Sequence, residues 1–127
     1  MKVLALDFGS ARTGVAVSDP SGTLARPLCV VERADTEAGL TRLRELIEEE
    51  GAERVVVGLP LTLRGTRGEQ ARETERFVEG LRAAVDVPIE TFDERFTTTL
   101  AGPGPGDDAR AAAHLLSSYL EWSSRHS

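Results

Sequence analysis

The 127 residues hold very little of the softer metal ligands: one cysteine, Cys29, and two histidines, His114 and His126. A lone cysteine excludes an intramolecular disulfide and any zinc site built on several thiolates. Cys29 stands in the apolar run LCVV, the setting of a buried structural thiol rather than a nucleophile. His114 falls in the last expected helix and His126 in the tail, too dispersed for an imidazole ligand set. Lysine is nearly missing as well: Lys2 stands alone against fourteen arginines. The net charge of −6 argues against a uniformly basic surface of the kind that coats nucleic acid. No apolar run approaches the ~20 residues of a membrane helix. The opening MKVLALDFGS is interrupted by Asp7 and no small-residue cleavage site follows, so it reads as a strand rather than a secretion signal. No internal repeat is visible. These absences predict a cytoplasmic chain with no membrane partner.

Apolar residues make up 40% and charged residues 28%, the composition of an ordinary globular domain rather than a disordered one. The length suits a single domain over residues 1–127, in which roughly two-thirds of the unfolded surface is buried. Arginine grips phosphate with a planar fork of donors that lysine lacks. Arg12, Arg26, Arg64, Arg67 and Arg95 lie in or beside expected turns. Genome composition alone would also enrich arginine.

The apolar pattern alternates between strand-like and helix-like periods. Residues 3–8 (VLALDF) read as a first strand, Val15–Ser18 as a second and Leu24–Val31 as a third. The run Asp19-Pro20-Ser21-Gly22 is a strong turn signal between the last two. Three strands so closely connected form an antiparallel meander. Residues 36–50 read as a helix, capped by Asp35 or Thr36 and ended by Gly51. Leu40, Leu43, Leu46 and Ile47 share one face of it. The glutamates at 45, 48, 49 and 50, with Glu53 just beyond, read as a solvated face. A buried strand follows at 53–59, then a loop at 61–68, a helix at 69–84 and a fifth strand at 87–92. The run Gly102-Pro103-Gly104-Pro105-Gly106 sustains neither helix nor strand and reads as a loop. A last helix is expected from Asp107 to Trp122, with the SSRHS tail frayed. Strands joined through helices pair in parallel by right-handed crossovers. The expected fold is therefore α/β: a mixed five-stranded sheet, three meander strands then two parallel strands, flanked by helices.

Four motifs carry the chemistry. Asp7 closes an apolar strand and leads into Gly9 and Gly14, where a metal or phosphate can approach the backbone. A carboxylate beside a buried strand is costly unless paired or metal-bound. The GLPL segment at 58–61 runs into Arg64 and Arg67 between a strand end and a helix start, the edge where ligands of open α/β sheets gather. Asp93, Glu94 and Arg95 end the fifth strand at that same edge. Asp107 and Asp108 open the last helix. Aspartate there is commonly a cap, yet Asp108 shares a helix face with Ala112 and Leu115 and can turn to the sheet. Separated carboxylates without histidine or cysteine suit magnesium or manganese. Two such ions can activate a water and stabilise the leaving oxygen of a phosphodiester.

The blocks DFGSARTGVAVSD, VVVGLPLTLRGTRGEQA, DERFTTTLA and DDARAAAHLLSSYL resemble the YqgF/RuvX family, in family order and over nearly the whole chain. The resemblance implies a ribonuclease H-like fold related to Holliday-junction resolvases. It further implies a metal-dependent nuclease that trims the 5′ end of the small-subunit (16S) ribosomal RNA precursor. By position, Asp7 matches the first-strand acid, Asp93 with Glu94 the acids of DER, and Asp108 the acid opening the last helix. Asp7, Asp93 and Asp108 are thus the expected catalytic and metal-holding set, for Mg2+ or Mn2+, with Glu94 a possible addition. Arg12, Arg64, Arg67 and Arg95 are the expected nucleic-acid contacts. Two departures stand out. GPGPG replaces the basic helical stretch that usually precedes the last acid, and Ser117 stands where a glutamine is usual. In the fold that the resemblance implies, the fourth strand lies between the first and the fifth, so Asp7 and Asp93 start about two strand spacings of ~4.8 Å apart. Asp93 is preferred to Glu94, which points to the other face if the strand continues.

Rival readings remain open on sequence alone. A Holliday-junction resolvase, or a general single-strand DNA or RNA nuclease, would use the same acids. Junction resolution requires a symmetric homodimer, whereas RNA trimming is open to a monomer. An actin-like ATP-binding lobe also opens with a strand, an aspartate and a glycine turn, but needs two lobes to enclose its nucleotide. A non-catalytic nucleic-acid-binding module fits the acidic balance and the missing basic segment.

Overall fold

The apolar runs VLALD and RVVVGL are nearly continuous because the strands they form are covered on both faces. The computed structural model describes residues 1–60, 68–93 and 108–126. In chain order these contain β1 (Val3–Asp7), β2 (Arg12–Ser18), β3 (Ala25–Glu32), α1 (Glu37–Glu50), β4 (Arg54–Leu59), α2 (Glu69–Ala84), β5 (Ile89–Asp93) and α3 (Asp108–His126). The sheet order is β3-β2-β1-β4-β5. The pairs β1–β2 and β2–β3 are antiparallel, and β1–β4 and β4–β5 are parallel. This is the expected meander followed by two parallel strands. Strand β2 begins three residues before the expected Val15, because Arg12, Thr13 and Gly14 pair with Glu32, Val31 and Val30 of β3.

The period of two along each strand divides the core into two layers. Leu4, Leu6, Val55, Val57 and Ile89 pack with Leu43, Leu46 and Ile47 of α1 and Phe77, Val78 and Leu81 of α2. Val3, Ala5, Ala16, Val56 and Phe92 pack instead with Ala112, Leu115, Leu116 and Tyr119 of α3. Helix α3 thus lies alone on one face of the sheet among the described residues. Tyr119 anchors its far half: Arg54 donates to the Tyr119 hydroxyl at 3.1 Å, and the Phe92 and Tyr119 rings meet edge to face at 5.6 Å.

Local signals set the helix ends. Thr36, of the two candidate caps, accepts from the Gly39 N–H at 3.2 Å, and Gly51 ends α1 in the left-handed region at φ 67°. Glu45, Glu48 and Glu49 are exposed as expected, whereas Glu50 is half-buried and pairs with Lys2 and Arg26 at 3.3 and 3.4 Å. Among the described residues the last helix runs past its expected end at Trp122. Helix α3 continues to His126, supported by an Arg125–Glu121 pair at 2.7 Å, one turn apart. The GPGPG segment lies outside the described residues.

The β2–β3 connection is held by Asp19. Its carboxylate accepts from the Thr23 N–H at 2.7 Å, the Leu24 N–H at 3.0 Å and the Ser21 hydroxyl at 2.6 Å. These donors favour the charged form, the Ser21 hydroxyl most, and lower the pKa from 3.8 to about 2. A folded-state pKa below the unfolded one gives stability that is complete above the unfolded pKa and lost as pH falls through the folded one. Asp19→Ala is therefore expected to lower the urea midpoint at pH 7. The difference from wild type should shrink as pH falls from about 4 towards about 2, measured by urea unfolding across that range.

Candidate active site

Strand β1 ends with Leu6, Asp7 and, just past its end, Phe8. Leu6 is fully buried among the α1 and α2 side chains, and the Phe8 ring stacks on Phe77 with centroids 4.4 Å apart. Alternation then turns Asp7, flanked by these two anchors, to the opposite face, the side of Val3, Ala5 and α3. Asp7 pairs across the strands with Gly14 of β2. Gly14 is in register with Ala16, so it also faces α3.

The start of α3 rests on Gly14. A Cβ added at Gly14 would overlap the Asp108 carbonyl group and come within 2.9 Å of the Ala109 nitrogen. The first turn of α3 is therefore in backbone contact with the cross-strand neighbour of Asp7. Asp108 shares its helix line with Ala112 and Leu115, both buried against the sheet, and its own side chain is partly buried. Arg12 lies two residues before Gly14 on the same face, with Nε 3.4 Å from Oδ2 of Asp108. Arg12 and Asp108 are thus paired, and Asp7 lies on the same face one strand across, where β1, β2 and α3 converge.

From the sequence, Gly14 reads as an opening for a metal or phosphate. The structure corrects this: α3 itself occupies the space where the side chain would be. The alanines at 109, 111, 112 and 113 were the available signal, since a helix that touches backbone must be narrow on that side.

Asp93 is placed differently. It ends β5 opposite Leu59 of β4. Ile89 packs with the α1 and α2 layer and Phe92 with α3, so Asp93 carries the register of Ile89 and falls on the α1/α2 side. The described residues bring Asp7, Asp108 and Arg12 together on one face and leave Asp93 on the other. No group of three His, Cys, Asp or Glu side chains stands together among the described residues. Glu94, Arg64, Arg67 and Arg95, with the rest of the DERFTT block and Asp107, lie outside the described residues. Cys29 is half-buried on β3, and burial raises its thiol pKa, which suits an inert packing residue. No helix among the described residues is long and apolar enough to cross a membrane.

A family model described as "RuvX: Holliday junction resolvase" matches residues 1–104. The chain belongs to the RuvX family. A relative from Chloroflexus aurantiacus, named "Putative pre-16S rRNA nuclease", is 46% identical, covering 94% of this chain and 86% of its own. One from Chloroflexus aggregans with the same name is 40% identical over 94% of this chain and 92% of its own. Among solved structures, the RuvC of Thermus thermophilus in complex with Holliday junction substrate superposes with a TM-score of 0.70 at 17% identity, covering 100% of this chain and 97% of that one. The fold is ribonuclease H-like, as expected. The RuvX match ends at residue 104, before α3. Asp108 lies beyond that match, and its place on the face of Asp7 rests on its contact with Gly14.

Gly14→Ala forces a methyl group into the backbone of α3. It is expected to cost about 1–3 kcal/mol of stability, the range for overpacking a rigid site, measured by urea unfolding.

Proposed function

We propose that this RuvX protein is a metal-dependent nuclease that hydrolyses phosphodiester bonds, with the 5′ end of the small-subunit (16S) ribosomal RNA precursor as its substrate. The observation that carries the reading is the convergence of Asp7 and Asp108 on one face, beside Arg12, at the end of the central strand. The names of the relatives from Chloroflexus supply the choice of substrate.

The donor set is oxygen-only, which fits Mg2+ or Mn2+ and not a soft metal. Asp7 and Asp108 would hold the ions. The sequence favours Asp93 as the third acid, but its place on the α1/α2 side favours its sequence neighbour Glu94 for that role. When bound, such ions activate an attacking water and stabilise the leaving oxygen, giving a 5′-phosphate and a 3′-hydroxyl by family expectation. The chain's own part is to hold the carboxylates in place. Gly14 lets α3 come down so that Asp108 reaches the level of Asp7, and Phe8 pins the strand end so that Asp7 cannot turn away. Arg12 supplies a planar guanidinium at the rim, with Arg64, Arg67 and Arg95 as further candidates to grip phosphates.

Junction resolution is the second reading, favoured by the description of the family model that matches. It requires paired cuts by a symmetric dimer. The experiment offers labelled single-stranded RNA, single-stranded DNA and a four-way junction, each with Mg2+, Mn2+ or chelator. Cleavage is expected with either ion, to stop in chelator, and to fall at least about a hundredfold in Asp7→Asn and Asp108→Asn. Glu94→Gln is expected to fall as far, and Asp93→Asn less. Preference for RNA supports precursor trimming, and symmetric junction cuts by a dimer support resolution. Full activity in a clean Asp7→Asn preparation would remove the assignment. Binding without cleavage on all substrates would make the chain a non-catalytic nucleic-acid-binding module.

A further inference from the structure

The Arg12–Asp108 ion pair joins two groups that the proposed chemistry needs apart. Nε of Arg12 lies 3.4 Å from Oδ2 of Asp108. A guanidinium and a divalent cation compete for the same carboxylate lone pairs. The two side chains also differ in freedom. That of Asp108 is 28% exposed and tied to the turn that rests on Gly14, while that of Arg12 is 54% exposed. The Arg12 backbone is fixed by pairing with Glu32, so any rearrangement belongs to its side chain. A long, half-exposed arginine at the rim of a phosphodiester site is also a natural phosphate ligand.

We propose that Arg12 alternates between two anions. In the metal-free protein it neutralises Asp108. Metal loading takes over that carboxylate and releases the guanidinium to a nucleic-acid phosphate. Divalent metal and nucleic acid then bind cooperatively, each raising the other's affinity by the same factor. This rests on the reading of Asp108 as a metal-holding carboxylate. It adds that Arg12 couples the two ligands.

The test is a double-mutant cycle read by binding. In chelator, the anisotropy of labelled single-stranded RNA is expected to report about two- to fivefold tighter binding for Asp108→Asn, the span of one half-exposed ion pair, because Arg12 is freed. In an Arg12→Ala background the same substitution is expected to change nothing. Calorimetric titration with Mn2+ is the second arm. Arg12→Ala and Arg12→Gln are both expected to bind the ion about two- to fivefold more tightly than wild type. Equal tightening by Asp108→Asn in both backgrounds would reduce the effect to loss of one negative charge. Weaker Mn2+ binding in the Arg12 variants would make Arg12 a fixed support for Asp108. Either result overturns the proposal. Cleavage by Asp7→Asn is measured alongside. Asp7-dependent cleavage without coupling removes the Arg12 inference alone, whereas Asp7-independent cleavage removes the nuclease assignment instead.

Discussion

Residue 14 has no side chain, and the position of helix α3 depends on it. Any Cβ there would collide with the peptide of Asp108, so only glycine lets the helix start touch the sheet. The alanines at 109, 112 and 113 keep the contact close at this end. Leu115, Leu116 and Tyr119 fill the space further along, where Tyr119 meets Arg54 and Phe92. Fixed at both ends, α3 delivers Asp108 to the edge of the sheet at the level of Asp7. A contact that looks like simple packing thus brings Asp108 onto the face of the sheet that carries Asp7.

The second constraint is the double burial of β1. A charged residue in the middle of that strand would lack water on either face, and its desolvation would be prohibitive. Asp7 escapes this only as the last residue of β1, where it is half-buried rather than enclosed. Its neighbours Leu6 and Phe8 are held on the opposite layer, which fixes the face to which Asp7 turns. The same alternation governs β5 with the opposite result. Phe92, which faces α3, is followed directly by Asp93, which faces α1 and α2. In a strand a single step changes the face, so motif position alone does not choose between adjacent acids such as Asp93 and Glu94.

Element order, strand pairing and the cap at Thr36 were legible because each follows from local period or local chemistry. Asp7 and Asp108 were legible as candidates from the motif blocks, and Asp108 also from its helix line with Ala112 and Leu115. Their meeting was not, because it depends on a contact between residues 14 and 108 that no local window contains. Gly14 carried a local reading, freedom of the backbone, and its true role is long-range. The face of Asp93 was hidden for a different reason. The expected strand ran from 87 to 92, whereas β5 runs from Ile89 to Asp93, and a shift of bounds leaves open which residue is last in register. The length of α3 was underestimated because serines weaken helical propensity, while the Glu121–Arg125 pair that offsets them spans a full turn.

The net charge of −6 weighs less against a nucleic-acid substrate once its distribution is known. Helix α1 carries five glutamates against two arginines, and α2 four glutamates against three arginines. Both lie on the face of the sheet away from Asp7 and Asp108. Helix α3, on the site's own face, has two acids and two arginines and is neutral overall. One of those acids is Asp108, already balanced by Arg12. Helices α1 and α2 thus carry four of the six net negative charges, and the thickness of the sheet separates these from the face of Asp7 and Asp108. At physiological salt, charges further apart than about 8 Å are largely screened along a solvated path. On the proposed reading, what an approaching phosphate meets is the local balance of Asp7, Asp108 and Arg12. A divalent cation that takes the carboxylates would, on the same reading, leave the guanidinium unclaimed and shift that balance towards attraction.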